Sequence, residues 1–124
     1  MKKLEDLGDG KVLYKSHRAE PYFSFIKNGV KTIEGRVLKK LYKDLKSEDE
    51  ILVFNNEETD NLRVKVKDIV NYSFFEEMLK KEDYKKILPD VDSVENGIEV
   101  YRKFYTEKQE IEFGVIAIKI DIIR

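Results

Sequence analysis

The sequence predicts an α+β domain built on a mixed β-barrel, with a few short helices packed around it. Three observations lead there. Ile51-Leu52-Val53-Phe54 is apolar on both faces, as a central strand is. Leu62, Val64 and Val66 alternate with Arg63, Lys65 and Lys67, giving a strand with one buried and one wet, basic face. Ile116, Ile118, Ile120 and Ile122 alternate with Val115, Ala117, Lys119 and Asp121, a last strand whose isoleucine face belongs to a core. Many strands with few short helices suit this class.

Taken in order, residues 1–11 are polar and contain the turn signal Gly8-Asp9-Gly10, so a loose or edge-pairing N-terminal segment is expected. Lys11-Val12-Leu13-Tyr14 forms a first strand and runs into the polar connection Lys15-Ser16-His17-Arg18. Pro21 suits the first position of a helix. Tyr22, Phe25 and Ile26 follow at i, i+3, i+4, one apolar stripe, and Asn28-Gly29 supplies residues that tolerate the left-handed conformation in which many helices end. Val30, Thr32 and Ile33 then favour extended chain. Residues 37–48 have two readings, a short helix on Leu38, Leu41, Tyr42 and Leu45 or an irregular basic loop.

Asn55 to Asn61 reads as a hairpin loop. Ser73-Phe74-Phe75-Glu76 has the spacing of a capping box and opens a short helix through Leu79. Residues 80–92 read as a loop that includes Pro89. Asp92-Ser93-Val94-Glu95 begins the longest helix, with Val94, Ile98, Tyr101 and Tyr105 on one stripe and Phe104 beside it. Gly97 inside that helix costs about 1 kcal/mol relative to Ala, which close packing would explain.

At 124 residues the chain is expected to be a single domain, residues 1–124, with a core that needs no staples. The absence of Cys excludes a disulfide framework, a zinc knuckle and a thiol nucleophile. One His and no Cys leave no basis for a transition-metal site, so no metal and no cofactor is expected. Met1-Lys2-Lys3 leads into Leu4-Glu5-Asp6, not an apolar signal core, and no apolar run is long enough for a membrane span; a cytoplasmic protein is expected. The 24 Lys and Arg nearly balance the 25 Asp and Glu, so any contact with nucleic acid needs a local patch.

The stretch with the most chemistry is Gly29-Val30-Lys31-Thr32-Ile33-Glu34-Gly35-Arg36, where a helix hands over to a strand. On a regular strand Glu34 and Arg36 share one face and Ile33 takes the other. Lys31 has the parity of Ile33, so its place is the strand mouth, where the turn after Gly29 can re-aim it. Bland alternatives stand beside each functional reading: an ion-pair cluster for the trio, a surface residue for His17, core packing for Tyr101 and Tyr105, and solvated surface for Arg63, Lys65, Lys67 and the Lys39-Lys40-Lys43 run.

Gly29-x-Lys31-x-x-Glu34-x-Arg36 resembles the G-x-K-x-x-E-x-R signature of the ASCH domain family, which is related to PUA RNA-binding domains. The resemblance extends over roughly residues 12–123 through the order of aromatic helix, signature, strand 49–54, Tyr101-Arg102-Lys103-Phe104-Tyr105 and final strand. It implies a PUA-like barrel and a cleft that binds RNA or a modified nucleoside, lined by His17, Tyr22, Lys31, Glu34, Arg36, Tyr101, Arg102 and Tyr105. One branch of the family hydrolyses the acetyl group of N4-acetylcytidine with a Lys, a Thr three positions later and a distant Glu. Here Lys31 matches, Glu34 stands at the Thr position, and Glu110 and Glu112 are candidates for the distant Glu. A hydrolase acting on such a nucleoside amide or on RNA, with Lys31 and Glu34 as catalytic groups, is therefore the alternative, opposed by the expectation that Glu34 keeps Lys31 protonated. A regulatory protein-interaction module without ligand is a third class. Oligomeric state is not legible.

Overall fold

A computed structural model describes residues 1–124. Six strands, Lys2–Gly8 (β1), Lys11–Arg18 (β2), Ile33–Val37 (β3), Glu50–Asn55 (β4), Asn61–Tyr72 (β5) and Val115–Ile123 (β6), form one sheet in the order β1-β2-β4-β5-β6-β3. All pairs are antiparallel except β2 with β4. Five helices accompany them: Tyr22–Lys27 (α1), Phe75–Lys81 (α2), Tyr84–Ile87 (α3), Val94–Arg102 (α4) and Glu107–Phe113 (α5).

The sheet does not close, which corrects the expected barrel. Its edges, β1 and β3, do not pair with each other. The curl brings the end of β2 opposite β3, and side chains, not backbone ladders, span the gap: Arg18 Nε donates to Glu34 Oε1 at 2.6 Å. The loose N-terminal segment is corrected too, because Lys2–Gly8 pairs along β2 as an edge strand.

Two apolar clusters flank the sheet. Tyr14, Ile51, Val53, Val64, Val66, Ile116, Ile118 and Ile120 fill its concave side, together with Phe23 and Ile26 of α1. Ile33, Val37, Val115 and Ala117 lie on the other face against Phe75, Met78, Leu79, Ile87 and Tyr101 of the helices. The start of β6 and all of β3 are thus buried on both faces, which is why Val115 and Ala117 are core as well as the isoleucines.

Several local expectations hold. Ser93 caps α4 by accepting from Asn96 N at 3.1 Å, and Gly29 ends the aromatic helix with φ of 80°. A Cβ on Gly97 would stand 3.1 Å from Leu79 Cδ1, so α4 and α2 do pack closely there. Others shift. β2 continues to Arg18, so Lys15 to Arg18 are strand and not a connection. Residues 37–48 are irregular around one 3-10 turn, Lys40–Lys43. Ser73 does not cap α2: the helix begins one residue later, and Ser73 N instead donates to Glu77 Oε1 at 3.0 Å. α3, capped by Asp83, interrupts the expected loop, and Thr106 with Gln109 makes the capping box of α5.

Ile118 lies on the concave face, 1% exposed, and pairs with both β3 and β5. Ile118→Ala is expected to lose about 2–5 kcal/mol in urea unfolding; a loss below about 1 kcal/mol would mean that this face is not the core of the sheet.

Candidate functional site

β3 pairs with β6 so that Glu34 stands opposite Ile118 and Arg36 opposite Ile116. Residues directly opposite share a face, so the two charged side chains point to the concave side while Ile33 and Val37 point to the helices. On β2 the same alternation lines up Tyr14, Ser16 and Arg18, all buried. The last of these reaches Glu34. Arg18 Nη1 also donates to Ser16 Oγ at 2.5 Å and to the His17 carbonyl at 2.7 Å. Arg36 Nη2 approaches Glu34 Oε2 at 3.5 Å, and its Nη1 donates to the Tyr105 hydroxyl at 3.4 Å. Each carboxylate oxygen of Glu34 thus has its own guanidinium.

Lys31 lies before β3, at the strand mouth as its parity requires, and is buried. It makes no ion pair with Glu34. Its Nζ donates to the carbonyls of Ile33 at 3.0 Å and of Ile87, at the end of α3, at 2.5 Å. An ammonium has three protons to give, so one remains. The Tyr22 ring lies beneath the amine, 5.9 Å from ring centre to Nζ.

These groups form the wall of a cleft of ≈ 210 Å³. Tyr101 and Leu88 close its buried side, and Ala19, Val100 and the exposed Phe104 form its lip. Tyr101 stacks on Phe75 with ring centres 4.2 Å apart, and its hydroxyl occupies the space above Gly35, 2.5 Å from where a Cβ would stand. Glycine is what lets the tyrosine reach that far. Of the residues expected at the site, His17, Tyr22, Lys31, Glu34, Arg36, Tyr101 and Tyr105 come together here.

Arg102 does not. It turns to the opposite side of α4 and donates to Glu110 Oε2 at 2.9 Å, while Glu110 Oε1 accepts from Phe75 N at 2.7 Å. Glu110 is therefore a buried tie between α2, α4 and α5, not a cleft carboxylate, and Glu112 is outside the cleft as well. Arg18 is the residue that sequence reading missed. Its signal was the alternation Tyr14-Ser16-Arg18, visible only once β2 is known to extend that far. Arg63, Lys65 and Lys67 are also taken: they pair with Glu50 at 2.5 Å, Glu48 at 3.5 Å and Asp121 at 3.9 Å.

Burial dominates the Lys31 amine and brings its pKa down to about 8, although Glu34 pulls it upward. The amine is therefore still mostly protonated at neutral pH but loses its proton well below the ordinary lysine range. Burial would raise Glu34, but Arg18, Arg36 and Lys31 outweigh burial and hold it well below the usual carboxylate range. Burial and then Glu34 push the Tyr101 hydroxyl up. The cleft therefore carries three cationic side chains against one locked carboxylate at neutral pH.

The chain belongs to the ASCH domain family, whose model matches residues 17–124. It is similar to the crystal structure of the hypothetical protein PH0355, with 41% identity, 90% of this chain and 99% of that chain covered and a TM-score of 0.80. It is also similar to the solution NMR structure of protein PF0455 from Pyrococcus furiosus, with 36% identity, 90% and 98% covered and a TM-score of 0.74. No curated protein matches it. No helix is long and apolar enough to cross a membrane.

The two buried charges should respond oppositely to removal. Because the folded-state pKa of Lys31 is lowered from 10.5 to about 8, the folded protein binds fewer protons than the unfolded chain between those values. Stability relative to Lys31→Met should therefore rise by on the order of 3 kcal/mol as pH climbs through that window, and be flat below it. Urea unfolding at several pH values reads this directly; no relative gain would mean the amine is not desolvated. Glu34→Gln, which leaves Arg18 buried without its counter-charge, should cost about 3–5 kcal/mol at neutral pH.

Proposed function

We propose that this chain binds single-stranded RNA or a modified nucleoside, with an unstacked base entering the cleft beside Lys31, Glu34 and Arg36. The observation that carries this reading is the state of Glu34. Each of its oxygens faces a guanidinium, and these cations hold it ionised and weakly basic, so it is a poor acceptor for a proton from a substrate. What the cleft still offers is binding chemistry: the third Lys31 proton, the Arg36 fork, and the rings of Tyr22, Phe104 and Tyr105. Aromatic faces with polar groups at base-edge height suit an unpaired base, whereas a duplex keeps its bases stacked. Membership of a family related to RNA-binding PUA domains supports the same reading.

Single-stranded or loop RNA should bind better than duplex. Arg36→Ala and Tyr105→Ala should weaken binding, and Lys65→Ala should not, since Lys65 is paired with Glu48. With few phosphate contacts the salt slope should be shallow, about 0.7 per contact on a single strand. A salt titration of wild type and these three variants tests the point. A steep slope, equal affinity for duplex and indifference to Arg36 would show charge-driven surface binding instead.

One observation favours a hydrolase, the lowered pKa of Lys31. A buried amine near 8 has the protonation balance of a base or nucleophile. Its two carbonyl partners and the engaged Glu34 oppose that role, because neither supplies a group that takes the proton onward. Turnover of N4-acetylcytidine should accordingly stay far below ordinary enzyme rates of about 1 s⁻¹. Robust turnover that is abolished in Lys31→Ala would place the chain among the hydrolases.

A further inference from the structure

Next to the cleft lies a second basin of ≈ 190 Å³ whose walls include Lys39, Lys40, Tyr42 and Tyr105. Tyr105 belongs to both. So, in effect, does Arg36: its guanidinium hydrogen-bonds the Tyr105 hydroxyl and lies 5.6 Å from the Tyr42 ring centre, so it forms the divide between the two hollows. The basin has no acidic residue in its walls, and neither Lys39 nor Lys40 makes an ion pair. Along β5, by contrast, Arg63, Lys65 and Lys67 each have an acidic neighbour.

Two further details belong to this corner. Lys40 has φ of 56°, as one of four non-glycine residues in the left-handed region, a conformation that glycine adopts without strain. Arg36 Nε–H is buried and has no acceptor, the one side-chain polar atom of the protein so placed. The Lys39 amine lies over the Phe113 ring, 5.3 Å from its centre. Two lysines without an acidic partner and two tyrosines line an acid-free hollow, with the Arg36 guanidinium beside it, and together they make an anion seat.

We propose that this basin holds a phosphate of the same ligand whose base occupies the cleft, so that the preferred ligand is a nucleotide or RNA strand and not a free nucleoside. The inference rests on the proposed function of the cleft, and it gives that function a direction: the base lies on the Glu34 side of Arg36 and the phosphate on the Lys40 side. Arg36 touches both parts, and the tyrosine at position 105 separates them. A mononucleotide and a strand share this chemistry. They differ in whether a terminal phosphate or a bridging phosphodiester fills the seat.

The test is an NMR amide-shift titration with inorganic phosphate, the four common ribonucleosides, their 3′- and 5′-monophosphates, and a short oligoribonucleotide. Inorganic phosphate should shift the amides of Lys39 to Tyr42. At least one phosphorylated ligand should bind about tenfold tighter than its nucleoside, as one added charge-assisted contact allows. The variant carrying both Lys39→Ala and Lys40→Gly should lose that advantage and keep the nucleoside affinity; glycine accepts the left-handed backbone, so the fold should persist. A gain with monophosphates identifies a terminal phosphate, and a gain only with the oligonucleotide a phosphodiester. The proposal is overturned if phosphate leaves Lys39 to Tyr42 unmoved, or if the advantage survives in the double variant. Nucleosides that fail to shift residues 34–36 and 101–105 would defeat the cleft reading separately, since the phosphate arm reports on the basin alone.

Discussion

Arg18, Glu34 and Arg36 end an apolar core with a row of charge, and most of the molecule's shape follows from how that row is satisfied. Taking a carboxylate out of water costs several kcal/mol unless its lone pairs are filled. Here Arg18 faces one oxygen and Arg36 the other, while Arg18 Nη1 donates to Ser16 and to a carbonyl of its own strand. The partners come from opposite ends of the sheet, with β4, β5 and β6 between them. The ion pair can exist only if the sheet curls enough to bring β2 against β3. Once it does, backbone pairing between those strands is unnecessary, and the gap left by the missing ladder is where the cleft opens.

That arrangement also separates the roles of the three signature side chains. Glu34 is structural charge, fixed by its neighbours. Lys31 is anchored to carbonyls from two different elements, β3 and the end of α3, so its position depends on the helical layer and not on the ion-pair row. Arg36 alone is partly open, and its buried Nε–H has no acceptor. A motif that looks like three equivalent charges in one dimension divides in three into a brace, a placed amine and a contact.

How much of this was legible in the chain depends on the range of the cause. Period-two alternation placed Glu34 and Arg36 on one face, and the left-handed Gly29 explained how Lys31 leaves the strand's regular parity. The Ser93 cap and the close packing at Gly97 were local and readable. What escaped depends on register or on neighbours far along the chain. Arg63, Lys65 and Lys67 look like a basic face until cross-strand pairing sets acids within reach of them. Arg102 looked like a site residue because Tyr101 and Tyr105 flank it, yet α5, whose Thr106-x-x-Gln109 box was present in the sequence, draws it away through Glu110. The closed barrel failed for a related reason: whether two edges meet is decided by curl and side chains, and alternation within a strand reports neither.

The register of β3 has a consequence for how the protein comes into being. Its only strand partner is β6, with Ile33 opposite Lys119 and Val37 opposite Val115. A nascent chain therefore carries the complete signature long before anything exists for that segment to pair with, and the intervening strands and helices must all be made first. Loop-closure entropy delays such distant pairings relative to local ones. The Arg18–Glu34 contact, which needs β3 in position, therefore depends on the last strand to be synthesised. The unusual electrostatics of the site arise only when the final strand locks the curl.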